Sequence, residues 1–131
     1  MLVEILPNER KLKKNYKNRE LIESIITNSD SKILAIDLEG KLILVNDVLA
    51  KSYNLSKEKA LGTTLYDVYP KEVADKIVFW DKKVISEGKA VHYEEELPIN
   101  GKIRMLTPNK FPLHGPEGKI YGIGAIISRY H

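Results

Sequence analysis

The sequence predicts an α+β domain built on one five-stranded antiparallel sheet, with helices lying over one face of it. Three observations predict this. Residues 91–130 read as three strands joined by two tight turns, Asn100-Gly101 and Gly115-Pro116-Glu117-Gly118. Residues 32–45 read as a hairpin around Leu38-Glu39-Gly40, which supplies two more strands. Between the two groups lies a long amphipathic segment, residues 71–87, wide enough in its apolar stripe to cross a sheet. A chain of 131 residues that is 43% hydrophobic can bury its own core as one domain, without a disulfide or metal staple.

The elements follow in order. A helix is predicted over residues 8–29, with Asn8 as its cap after Pro7 and Asn28-Ser29-Asp30 as its stop. Leu21, Ile22, Ile25 and Ile26 form an apolar stripe, while the first half has only Leu12 and Tyr16 to bury. Such a helix docks at its C-terminal end and projects at its start, where a partner chain can cover it. The net charge is +3, and much of the basic excess sits on this helix at Arg10, Lys11, Lys13, Lys14, Lys17 and Arg19. Only Tyr16 accompanies these charges and no nucleic-acid motif follows, so they read as a solvated face.

Lys32–Asp37 and Lys41–Val45 are the first two strands. Asn46-Asp47 opens a short helix at 48–53. Ser56 caps another at 57–61, with Glu58 in its first turn and Gly62 as its stop. Residues 63–69 read as irregular. Pro70 takes the first position of the helix at 71–87, which Gly88 ends. Val73, Ile77, Trp80 and Val84 recur along its sheet-facing stripe.

The register of the closing strands depends on the Asn100-Gly101 turn. A three-residue loop over Asn100–Lys102 pairs Leu97 with Met105 and Ile99 with Ile103, keeping the apolar residues on one face. It places Glu95 inward opposite Thr107, with Met105 and Thr107 toward the helices and Arg104 and Lys110 outward. In the last strand Gly122 and Gly124 leave bare backbone on one face, where another group can approach closely.

Much chemistry is excluded. There is no cysteine, hence no disulfide, thiolate nucleophile, cysteine-based zinc site or cysteinyl adduct. His92, His114 and His131 lack metal-ligand spacing and read as an exposed strand residue, a solvated turn residue and a terminal one. No nucleophile–base pair or Gly-rich phosphate loop is present, so no enzyme is expected. No run reaches membrane-spanning length and no signal-peptide core is seen, so the expectation is a soluble cytoplasmic protein without membrane insertion or nucleic-acid contact. The candidate binding residues surround the space between the long helix and the sheet: Asn46, Tyr53, Tyr66, Ile77, Trp80, Val84, Glu95, Met105 and Thr107. Tyr hydroxyls orient ligands in concave apolar sites, and an inward Glu95 would hold a raised pKa or meet a ligand donor.

Four pieces in succession resemble the PAS domain: ILAIDLEGKLILVN, KALGTTLYDVYP, DKKVISEGKAVHYEEEL and NGKIRMLTPNKFPLHGPEGKIYGIGAII. The resemblance covers about residues 20–130 and includes a D-x-x-V…G helix end followed by paired glutamates, here Asp81, Val84, Gly88, Glu94 and Glu95. It implies the PAS fold with strand order 2-1-5-4-3, and a sensory and dimerisation module that accepts a small ligand between the long helix and the sheet. Residues 1–30 would then be a flanking helix that pairs two copies, and residues 31–131 the sensor. A histidine kinase or diguanylate cyclase, fused or associated, would read the signal. The alternative is a structural spacer with a filled core. Haem-binding members take an axial histidine from the long helix or the next strand; only His92 is so placed, which disfavours haem. The cysteinyl-flavin class lacks its cysteine. Where many PAS domains carry an Asp-Ile-Thr-like triplet, this chain has Ser128-Arg129-Tyr130. Either the sensor is a fragment of a longer chain or its output runs through the N-terminal helix.

Overall fold

The computed structural model describes residues 6–99 and 101–128. Helix α1 (Pro7–Asn28) leads into strands β1 (Lys32–Asp37) and β2 (Leu42–Val45). Three short helices follow, α2 (Asp47–Ser52), α3 (Lys57–Ala60) and α4 (Leu65–Val68), and then the long α5 (Lys71–Glu87). The chain closes with β3 (Val91–His92), β4 (Glu95–Ile99), β5 (Lys102–Leu106), β6 (Pro108–His114) and β7 (Ile120–Ile127).

The main sheet is five-stranded and antiparallel in the order β2-β1-β7-β6-β3. This is the expected 2-1-5-4-3 arrangement with one refinement. The chain leaves the sheet after His92 and rejoins it at Pro108. In between, β4 and β5 form a separate two-stranded hairpin. The expected third and fourth strands are therefore each split in two.

That hairpin corrects the expected register. Ile99 pairs with Lys102, Leu97 with Arg104 and Glu95 with Leu106, so the loop is two residues, not three. Asn-Gly is the preferred dipeptide for a two-residue hairpin, and Gly101 takes the left-handed φ of 78° such a turn needs. The reading that favoured three residues assumed that residues 102–114 run as one strand with one inward parity. They do not. Leu97 and Leu106 are buried together, while Ile103 is 74% and Met105 39% exposed. In β6 the even-numbered Pro108 and Lys110 are buried instead, so Lys110 is inward and not outward.

The helices obey local chemistry. Pro7 occupies the first position of α1 after Leu6, so Asn8 is not its cap. Pro70 stands just before α5 rather than inside it, and Gly88 closes α5 at φ 63°. The segment expected to be irregular contains α4, held by a capping box in which Thr64 and Asp67 bond each other's backbone. Asn46 accepts from the Leu49 N–H and so caps α2, and Ser56 accepts from the Lys59 N–H and caps α3.

Two buried clusters hold the layers together. Ile36, Leu42, Val45, Leu49, Ala50, Ala60, Val84 and Ile123 join the β1–β2–β7 end of the sheet to α2, α3 and α5. Val73, Leu97 and Leu106, with Ile77, Tyr69 and Ile127 against them, join the hairpin to the start of α5. On the outer sheet face the Phe111 ring lies over Gly124, filling the bare backbone. Helix α1 contributes no buried residue and meets the domain near its end, where Ile26 is half-buried and its carbonyl accepts from Asn46. The basic residues on it are exposed, as expected of a solvated face.

Candidate functional site: a charged cavity beneath α5

A helix laid across a twisted sheet leaves space wherever small side chains face each other. Here Ala125 and Ile123 of β7 face Ile77 and Asp81 of α5 across a cavity of about 60 Å³. The sheet contributes Leu34, Ile36 and Ile127, the hairpin contributes Leu97 and Leu106, and α4 contributes Leu65 and Val68. The walls are thus largely aliphatic.

Three charged side chains interrupt them: Asp81, Glu95 and Lys110. Lys110 of β6 and Asp81 of α5 are 5% and 7% exposed, and the Lys110 Nζ donates to Asp81 Oδ1 at 2.5 Å. Position 81 is one helical turn from both Ile77 and Val84, so the carboxylate is carried on the buried stripe. Lys110 turns inward because β6 keeps even parity with the sheet's inner face. Neither charge would remain buried alone; each offsets the desolvation of the other.

Aromatic rings line the remainder. Tyr53 and Tyr69 meet edge to face, centroids 5.7 Å apart, and their hydroxyls interact. Tyr93 stacks on Trp80 at 4.2 Å and 15°, and the Lys110 Nζ stands 5.9 Å from the Tyr93 ring centre. Burial pushes the Tyr53, Tyr69 and Tyr93 phenols above the ordinary tyrosine range, so all three remain neutral hydrogen-bonding groups. Glu95 is half-buried. Desolvation raises its pKa, against the attraction of Lys110 and Lys76.

Of the residues singled out in the sequence, Tyr53, Ile77 and Glu95 line this cavity. Six fall elsewhere. Met105 points away on the outer face of the hairpin, because of the two-residue loop. Thr107 sits half-buried in the step between β5 and β6, outside the lining. Trp80 is one position round the helix from Asp81, so it covers Tyr93 rather than the cavity. Val84 is consumed by core packing. Tyr66 is exposed on α4 and donates to Asp75 at 2.6 Å. Asn46 is fully buried in a structural role: it accepts from Ile33 and Leu49 N–H groups and donates to the Ile26 and Ser31 carbonyls.

Sequence reasoning missed Lys110 and gave Asp81 no role beyond a helix-end motif. A signal for Asp81 existed, since it is a charge within the apolar stripe of α5. Lys110 had none once the wrong parity was chosen. Among the described residues no group of three or more His, Cys, Asp or Glu side chains is placed to hold a metal, and no helix is long and apolar enough to cross a membrane. His92 and His114 are exposed, and His131, Arg129 and Tyr130 lie outside the described residues.

A sheet in this order, roofed by one long helix and several short ones, defines a distinct class of small α+β domains. Residues 26–129 match the family described as the PAS fold, and the chain belongs to it. Comparison with the curated proteins gives no match. Among solved structures, a PAS domain from Colwellia psychrerythraea is similar with a TM-score of 0.71 at 18% identity, over 86% of this chain and 97% of that one. VqmA of Vibrio cholera, solved as a ligand–DNA complex, is similar with a TM-score of 0.74 at 21% identity, over 84% of this chain and 50% of VqmA. A sensory box sensor histidine kinase from Vibrio cholerae gives 0.68 at 13% identity, over 92% and 98%. At these identities the likeness is one of fold.

Proposed function

We propose that the chain is a non-enzymatic sensory module of a signalling protein, which takes a small molecule into the cavity between α5 and the sheet. The observation that carries this is the buried Asp81–Lys110 pair facing that cavity. A buried ion pair adds little stability over well-packed apolar side chains of similar volume, whereas a polar centre in an aliphatic cavity gives a ligand orientation. Ligand-bound VqmA and the sensor histidine kinase domain, similar in fold, are consistent with this use. Occupancy shifts the module only to the extent that the ligand prefers one of its two states.

The same reading divides the chain into a flanking helix, residues 1–30, and a sensor, residues 31–131. The flanking helix pairs two copies, and a cytoplasmic output domain such as a histidine kinase or diguanylate cyclase receives the change in a two-component type of circuit. Native mass spectrometry of the purified protein tests both parts. A dimer carrying a small adduct that denaturation releases is expected; a bare monomer overturns the reading. A second reading, a dimer-forming spacer with no ligand, is favoured by the small size of the cavity, about 60 Å³, and by the exposed apolar residues of α1. A dimer without an adduct, whose melting temperature no metabolite fraction raises, would select it.

A further inference from the structure

The three charges at the cavity do not cancel. Lys110 is already engaged by Asp81, and each neutralises the other. Glu95 remains. Its carboxylate lines the cavity and makes no hydrogen bond or ion pair to a side chain among the described residues. The other cation near it, Lys76, is exposed on α5 and screened by water. A cavity walled mainly by aliphatic groups and tyrosine rings therefore holds one carboxylate in excess.

We infer that the cavity selects a small organic cation, a compact body carrying N–H donors such as an amidinium or a protonated amine. This rests on the cavity being a ligand site. Glu95 supplies the counter-charge, and ionised carboxylates accept from such donors in charge-assisted hydrogen bonds. Tyr53, Tyr69 and Tyr93 also line the cavity, with hydroxyls that remain neutral and can accept from such donors. An anion finds the opposite: the buried cation is taken, and binding it means separating Lys110 from Asp81 and leaving a second carboxylate unpaired. The small volume limits the recognised body to a few heavy atoms.

Acetamidinium, acetamide and acetate have the same shape and differ in charge, so a two-dimensional NMR titration with the three at equal ionic strength separates the cases. The expected order is acetamidinium, then acetamide, then acetate, with at least a tenfold span in Kd and shifts at Glu95, Tyr93 and Lys110. Glu95→Gln, isosteric and at a half-exposed position, should erase that preference while its spectrum remains that of a folded protein. Tighter binding of acetate would overturn the cationic class and leave the cavity standing as a ligand site. Retention of the preference by the Gln variant would overturn the role of Glu95. Absence of saturable shifts with all three would overturn the cavity as a small-ligand site, and the class with it.

Discussion

Asn46 shows how much one buried amide can organise. Its side chain makes four hydrogen bonds, two accepted and two donated, and these join the end of α1, the start of β1 and the start of α2. Asn46→Ala leaves buried backbone groups unpaired and removes a cap, so urea denaturation should show a loss of about 3 kcal/mol. Asn46→Asp keeps the cap but replaces the amide NH2, which donates to two carbonyls, by an oxygen that can only accept, and should also destabilise. The Asp81–Lys110 pair behaves differently. Removing either partner strands a buried charge, so Asp81→Ala should cost about 3–5 kcal/mol. Replacing both together, as Asp81→Leu with Lys110→Met, should recover most of that loss while abolishing any ligand response. Glu95 has a pH signature. Its folded pKa lies above the unfolded value, so its contribution is least unfavourable below the unfolded pKa, and stability falls as pH rises through the folded one. Glu95→Gln removes that fall. Chemical denaturation across the acidic range should show the variant gaining on the parent as pH rises. Glu95 was legible as an inward residue, although its partner across the hairpin is Leu106 and not Thr107. Asn46 was legible as a cap, but its bonds to Ile26 and Ser31 span distances that no local pattern encodes.

At the level of elements, long periodic segments were legible and breaks were not. Helix α5 matches the expected residues 71–87, because its stripe and its Pro70 and Gly88 flanks agree. The division of two closing strands into four was invisible. Alternation continues through Thr107 as a pattern, while the backbone steps from one sheet to another there. A choice made to keep Met105 and Phe111 on one face then reversed Lys110 as well, since one residue of slip turns every side chain over. The glycines of β7 were legible as a place of close approach, and the Phe111 ring is what approaches Gly124. A β-carbon at Gly122 would instead meet the Ile36 backbone carbonyl, which cannot rotate away. Gly122→Ala should therefore cost about 1–3 kcal/mol, read as a lowered denaturation midpoint with an unchanged m-value.

For the molecule as a whole, the PAS fold was legible because five expected strands and four expected helices come in an order few topologies satisfy. How copies assemble was legible only as an expectation, resting on a helix that its own domain does not cover. Leu21, Ile22 and Ile25 are 60%, 56% and 60% exposed on α1. If this face pairs two copies, Ile22→Glu should shift the sedimentation of the protein toward a monomer and leave its melting temperature nearly unchanged at low concentration. The brevity of β3 has a consequence for the other end of the sheet. The Tyr93 N–H donates to the Pro108 carbonyl, so even-numbered residues of β6 turn their backbone toward that edge. Beyond the pairing of Lys110 with Val91, the next such residue is Pro112, which has no N–H to offer. A stray strand arriving there meets a missing donor where the ladder would continue, so Pro112 guards this flank of the sheet against fibril-like self-pairing.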